Sequence, residues 1–183
     1  MSKMVQLSKK RKNTKLYMKN VLTRKLSLPF KDIGSNIEQL IHENLESRFE
    51  GKCINEGFVK PNTINIITYS SGIVNGNDII FDVMFECLVC HPVEGMKFRC
   101  IIKNITKAGI RAEIKITPSP VIVFIARDHH YQSEYFSSKR EGDEIIIKVI
   151  GQRFELNDKY ISIIASLIEP KNWLPKEKKR YEQ

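Results

Sequence analysis

Thiols and an imidazole come closest together at Cys87-Leu88-Val89-Cys90-His91, which spells the attachment pattern of a c-type haem. That chemistry needs both thiols on one accessible loop with the histidine free to ligate iron. The surrounding residues alternate instead, with Phe81, Val83, Phe85, Cys87 and Val89 on one side and Asp82, Met84, Glu86 and Leu88 on the other. A period of two describes a strand, and it turns Cys87 and Cys90 to opposite faces. A zinc site would need a second Cys/His pair at ligand spacing, and a redox-active Cys-x-x-Cys would need a helix N-terminus. The sequence supplies neither, so the motif reads as structural and no metal or cofactor is expected. Asp128-His129-His130-Tyr131 is the other cluster. His42 and His91 lie in other elements, so it reads as a surface loop and not as a metal or acid–base site.

The elements that place these residues fall into two groups. Residues 1–15 carry Lys3, Lys9, Lys10, Arg11, Lys12 and Lys15 without a clear period and read as a mobile basic arm. A first strand follows from Leu16 to Leu28 and stops at Pro29. Ser35 and Glu38 have capping-box spacing, and Ile33, Ile37, Leu40, Ile41, Leu45 and Phe49 form one apolar stripe. This predicts a helix that turns off at Gly51. A strand from Asn62 to Tyr69, turn chemistry at Ser70-Ser71-Gly72 and Asn75-Gly76-Asn77-Asp78, and the long strand Ile79 to Cys90 complete a small α+β unit. His91-Pro92-Val93-Glu94-Gly95 reads as a boundary. Beyond it lie five short β segments: Met96 to Asn104, Ile110 to Ile116, Val121 to Ile125, Glu144 to Phe154 and Tyr160 to Leu167. Five such strands predict a small closed barrel, of which the OB-fold is the commonest form. Pro170 to Gln183 is a polar, lysine-rich tail with the lone Trp173.

The chain has 183 residues, 42% of them hydrophobic, and a formal charge of +9. It is therefore a folded protein suited to an anionic partner. No apolar run approaches a membrane span, and the basic N-terminus lacks the apolar core of a secretory signal. Four cysteines without an export signal read as free thiols of an intracellular protein. On the first barrel strand Lys97, Arg99 and Lys103 alternate with Phe98, Cys100 and Ile102, and Arg111, Glu113 and Lys115 alternate on the second. A barrel turns its apolar face inward, so these cations point outward together. A row of cations suits a phosphate backbone, and a solvated strand face is the alternative.

Several segments together resemble the stalk subunits of multisubunit DNA-directed RNA polymerases, the family of the seventh subunit of eukaryotic polymerase II and its archaeal counterpart. Phe81 to Gly95 resembles the strand that joins that family's two domains. Phe49-Glu50-Gly51-Lys52-Cys53 is similar to its helix exit, and Gly57-Phe58-Val59 to the next strand start. Gly72 to Asp78 is similar to a glycine-containing loop of the first domain. Gly109-Ile110, Pro120 to Ile125, Gly142-Asp143-Glu144-Ile145 and Ile161 to Leu167 match the later barrel strands. The resemblance runs in order from residue 16 to 168. Ile110 stands where many barrels of the family carry an aromatic that can stack on a base.

The resemblance implies an α+β ribonucleoprotein-like tip domain over residues 16–93 and an all-β five-stranded OB-fold barrel over 94–169, flanked by the arm at 1–15 and the tail at 170–183. It implies a subunit without an active site, docked on the polymerase core through Gly72, Ile73, Val74, Asn75, Gly76, Asn77 and Asp78. Nascent single-stranded RNA would meet Lys97, Arg99, Lys103, Arg111, Lys115, Arg127 and His129. Core polymerase subunits are the expected partners, with a smaller helical stalk subunit as a further one and no membrane. Heavy use of isoleucine, lysine and asparagine fits an AT-rich genome such as that of a large DNA virus. The protein is then expected in host cytoplasm and virion, or in the nucleus if the source is cellular. The rival readings are a free-standing OB-fold RNA-binding factor in translation or RNA decay, and a basic packaging protein.

Overall fold

The computed structural model describes residues 16–34 and 36–170. The basic arm, Ser35 of the expected capping box and the tail from residue 171, with Trp173, lie outside the described residues. The first half consists of β1 (Tyr17–Pro29), a 3-10 turn (Phe30–Asp32), α1 (Ile37–Phe49), β2 (Cys53–Ile54), β3 (Gly57–Val59), β4 (Asn65–Tyr69), β5 (Ile73–Asn75) and β6 (Asp78–Cys90). The second half holds β7 (Lys97–Ile105), β8 (Gly109–Ile114) and β9 (Val121–Ala126). A 3-10 turn (Arg127–His130), α2 (Glu134–Ser137), β10 (Glu144–Arg153) and β11 (Ile161–Ile168) follow. The protein is mostly β, with a six-stranded sheet followed by a closed five-stranded barrel.

β6 organises the first half. Along one edge it pairs with β1 without interruption, from Tyr17 opposite Cys90 to Pro29 opposite Asp78. Its other edge takes β5, β4 and β3 in turn. The alternation read from the sequence is the burial pattern: Phe81, Val83, Phe85, Cys87 and Val89 are all buried. They pack with Leu22, Leu26 and Leu28 of β1 and with Ile41 and Leu45 of α1. Phe49 stacks on Phe85 with centroids 5.9 Å apart. The helix therefore lies on one face of the sheet, and the rest of its apolar stripe, Ile33, Ile37, Leu40 and Phe49, packs against the same core. Asn36 occupies the N-cap position without a side-chain cap bond, and Gly51 just past the helix end has φ +68°.

The barrel runs β7-β8-β9-β11-β10 and closes where β10 pairs with β7; its one parallel pair is β9 with β11. Inward residues such as Phe98, Ile102, Ile110, Val123, Ile147 and Ile163 fill it. The stretch expected to be a loop after β9 forms instead a 3-10 turn and a one-turn helix, whose Phe136 enters the barrel core. Ser133 caps that helix by accepting the Phe136 N–H.

The two halves share a seam. Cys53, Phe58 and Cys90 belong to the barrel core although they precede it in sequence. The Cys53 N–H donates to Asp158 O at 2.8 Å, and the Asn157 N–H donates to Cys53 O at 2.9 Å. Cys87 and Cys90 face opposite ways and both are buried, one in each core. Neither is presented on a loop as haem attachment requires. Burial pushes the thiols of Cys53, Cys90 and Cys100 up to about 12 and that of Cys87 to about 11. Thiolates are the reactive species. The native chain at pH 8 should therefore resist a thiol reagent that modifies all 4 cysteines once the protein is unfolded; fast labelling of the native form would contradict this burial.

Candidate functional site

Two surfaces carry the residues singled out from the sequence, and β6 runs between them. At its Asp78 end, β5 and β6 form a hairpin closed by Gly76 and Asn77, with Asn75 opposite Asp78. Ile73 and Val74 are each 68% exposed, and Asn75, Gly76 and Asn77 are exposed beside them. Gly72 lies under Ile79 and Phe81, so close that a Cβ would stand 2.6 Å from the Ile79 Cγ2. Asp78 accepts the Ser27 hydroxyl at 2.7 Å, which anchors the hairpin to β1. The Phe30 N–H donates to Asn77 O at 2.9 Å, and its ring is 63% exposed. Phe30 is thus a third exposed apolar side chain at this end of the sheet, along with Ile73 and Val74. No periodicity signals it, because it follows Pro29 outside any periodic segment.

At the other end the barrel presents its cations. Lys97, Arg99 and Lys103 project from β7 and Arg111 from β8, all exposed while Phe98, Cys100, Ile102 and Ala112 are buried. Glu113 sits between two of them, 3.9 Å from Lys103 and 3.6 Å from Arg111. Lys115, past the end of β8, pairs with Glu144 at 3.2 Å. Pairs this exposed are worth little and are weakened further by salt, so these cations stay available to a polyanion. Lys97 and Arg99 have no ion-pair partner among the described residues, and Lys97 lies opposite Lys148 of β10.

Arg127 is placed differently. Its Nε donates to Lys107 O at 2.9 Å and its Nη2 to Thr106 O at 3.1 Å, with the guanidinium over the Phe136 ring. It clasps the β7–β8 turn and, with Ile105, Thr106 and Lys107, lines a shallow depression of about 500 Å³. His129 is exposed. His130 stacks on Phe136 at 5.5 Å, and its Nε2 accepts the Leu167 N–H at 3.1 Å. Among the described residues, no three His, Cys, Asp or Glu side chains are grouped to hold a metal ion, and no helix is long and apolar enough to cross a membrane.

Burial, and then the neighbouring His129, hold the His130 imidazole below its ordinary value. Protonation would also turn the acceptor of the Leu167 N–H into a donor. A depressed folded value means that the contribution is complete above the unfolded value of about 6.5 and is lost as the pH falls through the folded one. The melting temperature should therefore fall between pH 7.5 and 5.5. His130→Gln, which keeps an acceptor but not the titration, should flatten that fall. An unchanged slope in the variant would remove His130 as its source.

Comparison with known proteins adds a relative. The chain is 31% identical over 172 residues to a protein of Acanthamoeba polyphaga mimivirus named as a DNA-directed RNA polymerase subunit, and the match covers 84% of this chain and 83% of that protein. No protein-family profile matches.

Proposed function

The chain belongs to the DNA-directed RNA polymerase subunit family of that mimiviral protein, and on this premise we propose that it is the stalk subunit of such an enzyme. In this reading residues 16–93 form the ribonucleoprotein-like tip domain, which docks on the core polymerase. Residues 94–169 form an OB-fold that meets nascent RNA. The strand order, with β9 and β11 as the single parallel pair of the barrel, supports the OB-fold assignment. The observation that carries the proposal is the separation of two unlike surfaces. An apolar end at Phe30, Ile73 and Val74 suits a protein partner. A cationic barrel face suits a polyanion. The 13 residues of β6 keep them roughly 40 Å apart at about 3.3 Å per residue.

The chain's part is then positional: it holds the barrel where RNA leaves the enzyme and carries out no chemistry of its own. A smaller helical subunit would complete the stalk, and a viral enzyme would place it in host cytoplasm and virion. Affinity purification of the tagged chain from its native source, washed at moderate salt, tests this. Near-stoichiometric recovery of the two largest polymerase subunits is expected. Recovery of ribosomes, decay enzymes or RNA alone would replace the stalk reading with a free-standing RNA-binding factor.

A further inference from the structure

Phe124 presents an aromatic ring on the outside of the barrel. On β9 its neighbours Val123 and Ile125 are wholly buried, yet its own ring is 46% exposed on the outer surface. Burying such a side chain would stabilise the fold by about 1.5–3 kcal/mol, so leaving it half in water forgoes part of that. Its surroundings are specific. Arg111 of β8 is its in-register partner on one side and Ile164 of β11, 53% exposed, on the other. Beyond Arg111 stands Asn104 of β7. The row Asn104–Arg111–Phe124–Ile164 therefore crosses four strands as amide, guanidinium, aromatic ring and aliphatic group.

We infer that Phe124 is a stacking platform for one base of single-stranded RNA, with Arg111 holding the adjoining phosphate. The inference rests on the reading that the barrel contacts RNA, and adds to it the residue that grips a base. In-register side chains on neighbouring strands lie about 5 Å apart, so a base on the ring leaves its phosphate within reach of the guanidinium. Glu113 lies 3.6 Å from Arg111, an exposed pair that leaves the guanidinium available to a phosphate. Charge favours a nucleic acid over a protein side chain here: Arg111 adjoins the ring, Lys103 lies 3.9 Å from the Glu113 that neighbours Arg111, and the chain carries +9 overall. Ile110, where an aromatic would be expected, points into the core and is buried. The exposed ring stands one strand over.

The test uses the full chain and a fluorescein-labelled 12-nucleotide oligouridylate, with anisotropy read across a salt series. Phe124→Ala should weaken binding roughly 5- to 100-fold, the worth of one stacked base. It should leave the salt slope unchanged, because no phosphate contact is lost. Phe124→Trp should restore affinity and Phe124→Leu should not, which separates stacking from simple apolar contact. Arg111→Ala should lower both affinity and slope, the slope by about 0.7. Melting curves of each variant guard against loss of the fold. Binding by Phe124→Ala or Phe124→Leu within twofold of wild type would overturn the platform while leaving the RNA reading intact. No binding by wild type would remove both. Unchanged RNA binding by Phe124→Ala with lost recovery of polymerase subunits would make the ring a protein contact and overturn the inference.

Discussion

Replacing Ile73 and Val74 together by aspartate is expected to abolish recovery of polymerase subunits by the tagged chain without unfolding it. Both side chains are exposed on a 3-residue strand at the end of the sheet, so their loss removes almost nothing from the core. A carboxylate pressed into an apolar partner surface must be desolvated without a counter-charge, and that is where the cost falls. With roughly 2 kcal/mol lost at each anchor, the dissociation constant rises by about a thousandfold. Phe30→Asp should act in the same direction, since its ring shares the end and its N–H is tied to Asn77 O. The measurement is the pull-down repeated with each variant, beside a circular-dichroism melt. Undiminished recovery with an intact fold would move the docking surface elsewhere.

The largest loss of stability is expected from a single methyl group. A Cβ on Gly109 would collide with the Ile125 carbonyl oxygen and lie 3.2 Å from the Ala126 Cα. Both are backbone atoms of the neighbouring strand and cannot swing aside. Gly109 opens the β8–β9 ladder opposite Ala126 and also exchanges hydrogen bonds with Thr106 across the β7–β8 turn. Gly109→Ala must therefore part the barrel where β8 begins, at a cost of roughly 3 kcal/mol. For a chain of this size that corresponds to a fall of about 10 °C in melting temperature. Gly76→Ala is the control. Its φ of +60° is also unfavourable to a side chain, but nothing lies within 4 Å. It should cost only about 1 kcal/mol. Equal losses from the two would mean that the approach of β8 to β9 is not what requires glycine.

Sequence periodicity was informative where polar residues marked the phase. The faces of β6 and β7 could be read because aspartate, glutamate, lysine or arginine recurs between the apolar residues. β9 carries no such mark: Val121-Ile122-Val123-Phe124-Ile125 is apolar throughout, so nothing local reveals that Phe124 alone of the last three turns outward. β2 and β3, at 2 and 3 residues, are too short to show a period, and they exist through pairing with each other and with β6. Cys90 shows the same limit in another way. Alternation put it opposite Cys87 but could not show that the second face is also covered, since the cover comes from the barrel. Charge alone likewise could not separate Arg127, whose donors are committed to backbone carbonyls, from Lys97 and Arg99, which have no ion-pair partner among the described residues. Phe136 filled the barrel from a 4-residue helix that no pattern announced.

The seam at Cys53 has a mechanical consequence. Joined only through His91 to Gly95, the barrel could swing like a door. The paired bonds from Cys53 to Asn157 and Asp158 add a second attachment beside that link, and Cys53, Phe58 and Cys90, buried in the barrel core, resist rotation about the line joining the two. If it docks as proposed, the protein would behave as a rigid lever, with its pivot at the Ile73–Val74 end and its load on the barrel. A tilt of about 5° at the pivot would carry the barrel sideways by roughly 3 Å over the length of β6. Spin labels placed on Asn75 and Lys148 should accordingly give one narrow distance distribution, and under the proposed docking a shift of the barrel would originate in how the far end is seated.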